Sequence, residues 1–273
     1  MAAVTQPLRS PIVPICAVPG VSLWFERAGS GPRLLVVNGT GSDLRVHPNA
    51  FDWPVAAAFD LLTYDHRGLG RSVPDDPDLQ PTMRDFGTDP LALADALGWD
   101  RFAVLGISFG GMVAQELALA AGDRITRLVL ACTSAGGAGG ASWPLHETYA
   151  KDPEERLAEQ LAITDVRTRS DERRRRGLER FYRDRPGWDT PVTEGLRRQL
   201  EARRHHDTWD RLGGLRAPTL VAAGRHDGIA PPANAEALAG RIPGAELAWF
   251  EGGHAFFVDD AAAWPAIVAF LQG

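Results

Sequence analysis

The hexapeptide Gly106-Ile107-Ser108-Phe109-Gly110-Gly111 restricts this chain more than any other stretch of it. It closes the apolar run 102–107, and the segment 112–121, with helical spacing, follows at once. A strand must therefore turn into a helix within a few residues. Glycines two positions before and after Ser108 remove side chains that would collide in so tight a turn. The free N–H groups that open the helix, and the positive end of its dipole, face whatever forms at Ser108. A glycine-rich turn with an incidental serine is the bland alternative, and the strand-to-helix setting argues against it.

The rest of the chain extends this alternation. Further strand-like apolar runs lie at 12–18, 21–27, 33–38, 60–64, 101–107, 125–131, 219–223 and 245–250. Helical spacing occupies 82–97, 109–121, 232–241 and 261–271. Strands alternating with helices predict an α/β fold with a mostly parallel sheet covered on both faces. Only Pro19-Gly20 separates the first two runs, which permits nothing but an antiparallel hairpin, so the predicted eight-stranded sheet is mixed.

Residues 134–217 interrupt the pattern. They open with Ser-Ala-Gly-Gly-Ala-Gly-Gly-Ala, by composition a flexible linker, and continue with three helical segments near 153–164, 171–183 and 191–204. The expected organisation is a body of 1–133 and 218–273 with a helical cap of 134–217 inserted between two sheet strands. Residues 150–211 carry 16 Lys+Arg against 14 Asp+Glu, so this stretch is less acidic than a chain of net charge −6. The run Arg173–Arg176 reads as a solvated helix face, with Glu172/Arg176 and Glu179/Arg183 at i,i+4 spacing.

At 273 residues, 44% hydrophobic and 23% charged, the chain can bury a large core. The net negative charge argues against nucleic acid as a partner. No run of about 18 apolar residues predicts a membrane span. The first twenty residues lack the basic and apolar regions of a secretory signal. Two cysteines, Cys16 and Cys132, each in an apolar run, read as unpaired thiols rather than a disulfide framework. The expected location is the cytoplasm, and a homodimer is compatible with the sequence.

A serine hydroxyl needs a base to become a nucleophile. Of seven histidines, only His254 stands in a short loop between the last strand-like run and the last helix, in Phe250-Glu-Gly-Gly-His-Ala-Phe-Phe257. Two glycines make that loop pliant. Asp227 follows the run at 219–223 and lies between serine and histidine in the chain, where an acid that orients the imidazole is expected. The competing position, after the run ending at Ala131, holds Cys132-Thr133 and no carboxylate. Acyl transfer also needs N–H donors for a developing oxyanion. The backbone N–H groups of Phe109 and Thr40 are the candidates, the latter in the glycine loop Asn38-Gly-Thr-Gly-Ser-Asp43.

Together these residues, with Asp65-His-Arg-Gly-Leu-Gly-Arg-Ser72, resemble the α/β-hydrolase family over most of the chain outside the cap. The resemblance implies a Ser108–Asp227–His254 triad, no cofactor or metal, and a pocket between sheet and cap. Asn38-Gly39 stands where most relatives have His-Gly, and this short segment is similar to that of the 3-oxoadipate enol-lactonase branch. A small or medium, partly hydrophobic ester or lactone is the expected substrate. Asn38, Gly39, the cap residue Trp143, Phe256 and Phe257 are candidate contacts, and the Phe109 ring is a further candidate wall. The same triad also fits carbon–carbon bond hydrolysis, perhydrolase- or haloperoxidase-like chemistry, natural-product tailoring, or a receptor built on a hydrolase fold.

Overall fold

The central strand of the sheet, Phe102–Ile107, is buried along its whole length, because helices cover both of its faces. Its residues alternate between two cores. Phe102 and Val104 join the cluster under one helical layer, and Ala103, Leu105 and Ile107 join the other. The computed structural model describes residues 14–273.

Nine strands form one sheet among the described residues. They are β1 (Ile15–Val18), β2 (Val21–Ala28), β3 (Arg33–Val37), β4 (Asp60–Tyr64), β5 (Val73–Pro74), β6 (Phe102–Ile107), β7 (Ile125–Ala131), β8 (Thr219–Gly224) and β9 (Glu246–Phe250). Their spatial order is β1-β2-β4-β3-β6-β7-β8-β9, with β5 paired to β2. β2 is antiparallel to β1, β4 and β5, and every pairing from β4 through β3 to β9 is parallel. Gly20, at φ +79, makes the expected hairpin turn. The two residues of β5 are too few to leave a period in the sequence. The predicted start of the first strand, Ile12-Val13, lies outside the described residues.

The helices are α1 (Met83–Ala96), α2 (Phe109–Ala121), α3 (Leu145–Thr148), α4 (Pro153–Thr164), α5 (Glu172–Arg183), α6 (Glu194–Arg204), α7 (Pro232–Arg241), α8 (Phe256–Asp259) and α9 (Ala263–Gln272). A capping box starts α1, where Thr82 and Asp85 satisfy each other's backbone N–H. α1, α2 and α7 contribute to the core on one face of the sheet, and α8 and α9 to the core on the other. None of the described helices is long and apolar enough to cross a membrane.

α3 to α6 stand between β7 and β8. α5 has no buried residue, and four of its six arginines pair with carboxylates, as with Arg176–Glu172 and Arg183–Glu179. The glycine run at 134–141 is not the flexible linker that its composition suggests. Gly136 and Gly137 adopt positive φ, and a Cβ on Gly136 would stand 1.8 Å from the carbonyl oxygen of His206. Small residues here let two backbones touch, with Ser134 and Ala135 fully buried. Leu212 and Leu215 belong to the core of the body, so the chain rejoins the body before 217.

Candidate active site

Four loops meet at the carboxyl ends of parallel strands. β6 runs into Ser108, β8 into Asp227, β9 into His254, and β3 into Asn38–Gly41. β3 and β6 are neighbours whose onward connections diverge, the crevice where open α/β sheets place ligands.

Ser108 has φ +56 and ψ −116, a conformation that L-residues rarely adopt. The surrounding glycines explain how it is tolerated. A Cβ on Gly106 would lie 2.5 Å from the Gly110 carbonyl oxygen, one on Gly110 would lie 2.0 Å from that of Val37, and one on Gly111 would lie 2.6 Å from Thr133 Cβ. Strand, turn and helix can therefore pack only without side chains at these places. The Ser108 carbonyl accepts the Gly111 N–H and the Thr133 hydroxyl, both at 2.8 Å, which hold the turn from below.

Ser108 Oγ lies 2.8 Å from His254 Nε2, and His254 Nδ1 lies 2.8 Å from Asp227 Oδ2. Asp227 is buried, and its other oxygen accepts the backbone N–H groups of Ile229 (2.7 Å) and Ala230 (2.9 Å). Those two bonds fix the carboxylate plane, so Oδ2 faces the imidazole. With a carboxylate on Nδ1, the neutral ring carries its proton there and leaves Nε2 as an acceptor for the serine O–H.

Neighbouring groups do not compete for this role. Burial, with the charge of Asp227, pushes the Cys132 thiol well above its usual range, so it stays neutral. Burial lowers His66 to about 4, and its Nε2–H donates to the Asn38 carbonyl at 2.9 Å. The segment at 65–72 is an architectural knot. Asp65 accepts the N–H groups of Leu44 and Arg71, each at 2.8 Å, Ser72 Oγ donates to the Asp65 carbonyl, and Arg67 forms a buried bidentate pair with Asp89. Among the described residues no group of three or more His, Cys, Asp or Glu is arranged to hold a metal ion.

Several expected substrate contacts face elsewhere. The Phe109 ring is fully buried, edge-on to Phe86 and His66, which leaves only its backbone N–H beside the serine. Phe256 is fully buried and stacks on Phe250 at 5.0 Å, so it is core. Phe257 packs against Trp53 and Trp264 in that same core layer rather than against the inserted helices. Asn38 is buried and turns its carboxamide nitrogen to Thr63 Oγ1 at 2.8 Å, a contact within the sheet. Gly39 does stand at the serine, since a Cβ built on it would meet Ser108 Cβ at 3.6 Å. Thr40 follows in the same loop, and Gln199 of α6 holds that loop by accepting the Gly41 N–H at 2.8 Å. Trp143 lies at the junction with Leu145, Ile163, Leu200 and Ile229, and its backbone N–H donates to the carbonyl of Ile229, two residues past Asp227, while its indole N–H donates to Thr148 Oγ1.

The segment Ile163-Thr164-Asp165-Val166 was not anticipated as part of the site. It is wedged between the Asp227 and His254 loops. Gly228 N–H donates to the Ile163 carbonyl (2.9 Å), His254 N–H to the Thr164 carbonyl (2.6 Å), and Val166 N–H to the His226 carbonyl (3.0 Å). The glycines before His254 thus serve close packing rather than pliancy. A Cβ on Gly253 would stand 2.0 Å from the Thr164 carbonyl oxygen, and Gly252 has φ +131.

Known proteins share this arrangement of chain. The profile of the family described as alpha/beta hydrolase fold matches residues 32–261. Rhodomycin D methylesterase DnrP of Streptomyces peucetius is 31% identical over 86% of this chain and 89% of its own. Polyketide synthase ThaQ of Burkholderia thailandensis is 32% identical over 90% of this chain, which spans 12% of the length of ThaQ. Among solved structures, the enol-lactonase from Burkholderia xenovorans LB400 superposes with a TM-score of 0.78 at 27% identity, covering 95% of this chain and 100% of that one.

Proposed function

The chain belongs to the α/β-hydrolase family, and on that premise we propose that it is a serine hydrolase cleaving a carboxylic ester or lactone of a small to medium, partly hydrophobic substrate. The observation that carries the proposal is the unbroken relay from Ser108 Oγ through His254 to Asp227, with the carboxylate locked by two backbone N–H groups. His254 Nε2 takes the hydroxyl proton as Ser108 Oγ attacks the carbonyl carbon. The negative charge that then appears on the carbonyl oxygen is received by the backbone N–H groups of Phe109 and Thr40. The imidazolium protonates the leaving oxygen; the neutral ring then takes a proton from the water that attacks the acyl-enzyme and returns it to Ser108 Oγ as the acid leaves. Asp227 holds the ring and stabilises its charged form throughout.

The ester and lactone class draws support from two relatives, one named a methylesterase and the other an enol-lactonase. The inserted helices reach the carboxyl edge of the sheet at the Gly41 and His254 loops, and Trp143, Ile163, Leu200 and Ile229 form an apolar cluster there, a setting that suits a partly hydrophobic substrate. A cytoplasmic setting fits two free thiols.

A fluorophosphonate probe tests the nucleophile. It should label the wild type and not Ser108→Ala, and the variant should lose on the order of 10⁶ in kcat on any ester turned over. A panel of short p-nitrophenyl esters, lactones and a β-diketone tests the bond. Labelling without turnover of any of them would leave a binding protein, and turnover of the diketone alone would move the reading to carbon–carbon cleavage.

A further inference from the structure

The last turn of α4 leaves four carbonyl groups without helical partners, those of Leu161, Ala162, Ile163 and Thr164. All four are occupied. The first two are taken within the insertion, by Thr168 Oγ1 (2.8 Å) and Arg169 Nε (3.3 Å). The other two are taken by the catalytic loops, Ile163 by Gly228 and Thr164 by His254. The loops that carry the acid and the base thus cap α4, and α4 in turn spans the gap between them. The Thr164 side chain is itself tied down, with Oγ1 2.7 Å from the hydroxyl of Tyr182 on α5. Thr164 is buried, and nothing wider than an oxygen fits between it and Gly253.

We infer that Thr164 is a positioning residue for His254, that Tyr182 locks it, and that the inserted helices complete the active site rather than merely lying over it. This rests on His254 being the base of the proposed reaction. Asp227 reaches the ring at Nδ1 and fixes its tilt, and the His226 N–H holds the preceding residue pair at the Gly252 carbonyl (2.9 Å), but neither bond reaches the His254 main chain. The Thr164 carbonyl holds the His254 main chain itself, through the His254 N–H at 2.6 Å. Lifting α4 away would expose two unpaired carbonyls, free the His254 N–H and release the loop, so a displaced insertion and an assembled triad exclude each other.

The test combines the variants Tyr182→Phe, Thr164→Val, Thr164→Ser and the double variant Tyr182→Phe/Thr164→Val with two readouts. The first is the rate of labelling by a small fluorophosphonate, together with kcat and KM on an ester that the wild type hydrolyses. The second is hydrogen–deuterium exchange at the His254 amide, which needs no chemistry. Tyr182→Phe and Thr164→Val should each slow labelling and lower kcat by roughly five- to tenfold, the net worth of one hydrogen bond, with KM little changed. The double variant should be no slower than either single one, because both remove the same bond. Thr164→Ser, which keeps the hydroxyl, should stay within about twofold of wild type. The His254 amide should be protected in the wild type and exchange about tenfold faster in Thr164→Val. Wild-type labelling rates in both single variants, failure of serine to rescue, or an unprotected His254 amide in the wild type would each overturn the inference. A wild type that no fluorophosphonate labels would refute the serine-hydrolase reading instead, and amide exchange alone would then decide the role of Thr164.

Discussion

Acidification from pH 7 to pH 5 should destabilise this protein by about 2 kcal/mol, and replacing one histidine should nearly abolish the effect. His66 and His206 are buried, and burial lowers each to about 4. In the unfolded chain both return to the usual 6.5. Between the two values the unfolded state binds protons that the folded state refuses. The stability these neutral rings carry is fully present above 6.5 and is lost as the pH falls toward 4. At pH 5 each ring accounts for a loss of about 2 kcal/mol relative to pH 7. Asp89 works in the opposite direction, because burial raises it to about 6 despite its pairing with Arg67, so the folded state takes up its proton first. That offsets about 1 kcal/mol over the same interval, and Asp65, raised by burial, adds to the offset. The assay is urea unfolding at pH 7, 6 and 5 at constant ionic strength, on the wild type and on His206→Phe. The variant retains one buried histidine against Asp89 and should show a nearly level stability. A wild type as stable at pH 5 as at pH 7, or a variant that keeps the full slope, would refute the reasoning.

Other perturbations probe the same framework. Gly110→Ala places a methyl group 2.0 Å from the Val37 carbonyl oxygen and should prevent accumulation of folded protein, read as loss of the cooperative melting transition. Asp89→Asn leaves Arg67 buried without its anion and should cost about 3–5 kcal/mol in urea unfolding at pH 7. Asp227→Asn keeps an oxygen for Ile229 and Ala230 but loses the anion at Nδ1, so the fold should survive by circular dichroism while kcat falls by about 10⁴.

The polar relay was readable from the chain because its geometry depends on local features. A turn that demands glycines at 106 and 110, and loops that directly follow apolar runs, leave a period and a punctuation in the sequence. The contacts of aromatic side chains were not readable. Phe109, Phe256 and Phe257 sit next to site residues in the chain, yet a helical turn carries each ring into the core, and sequence adjacency does not report that rotation. The glycine run at 134–141 shows the same limit, since a composition suited to free chain suits backbone contact equally well. Ile163–Val166 was hidden for a further reason. Its contribution is made by main-chain carbonyls, which every residue possesses, so no residue type marks the place.

The shared capping of α4 limits how this scaffold can be re-engineered by grafting. Exchanging the helical insertion for that of a relative looks like a modular way to change selectivity, since it enters and leaves between β7 and β8 without crossing the sheet. A donor segment must nevertheless end a helix with two vacant acceptors at the right height above residues 228 and 254. Chimeras that ignore this stop point would leave the Gly228 and His254 N–H groups unpaired and so be both less stable than the parent and inert, and redesigning the helix end would restore them.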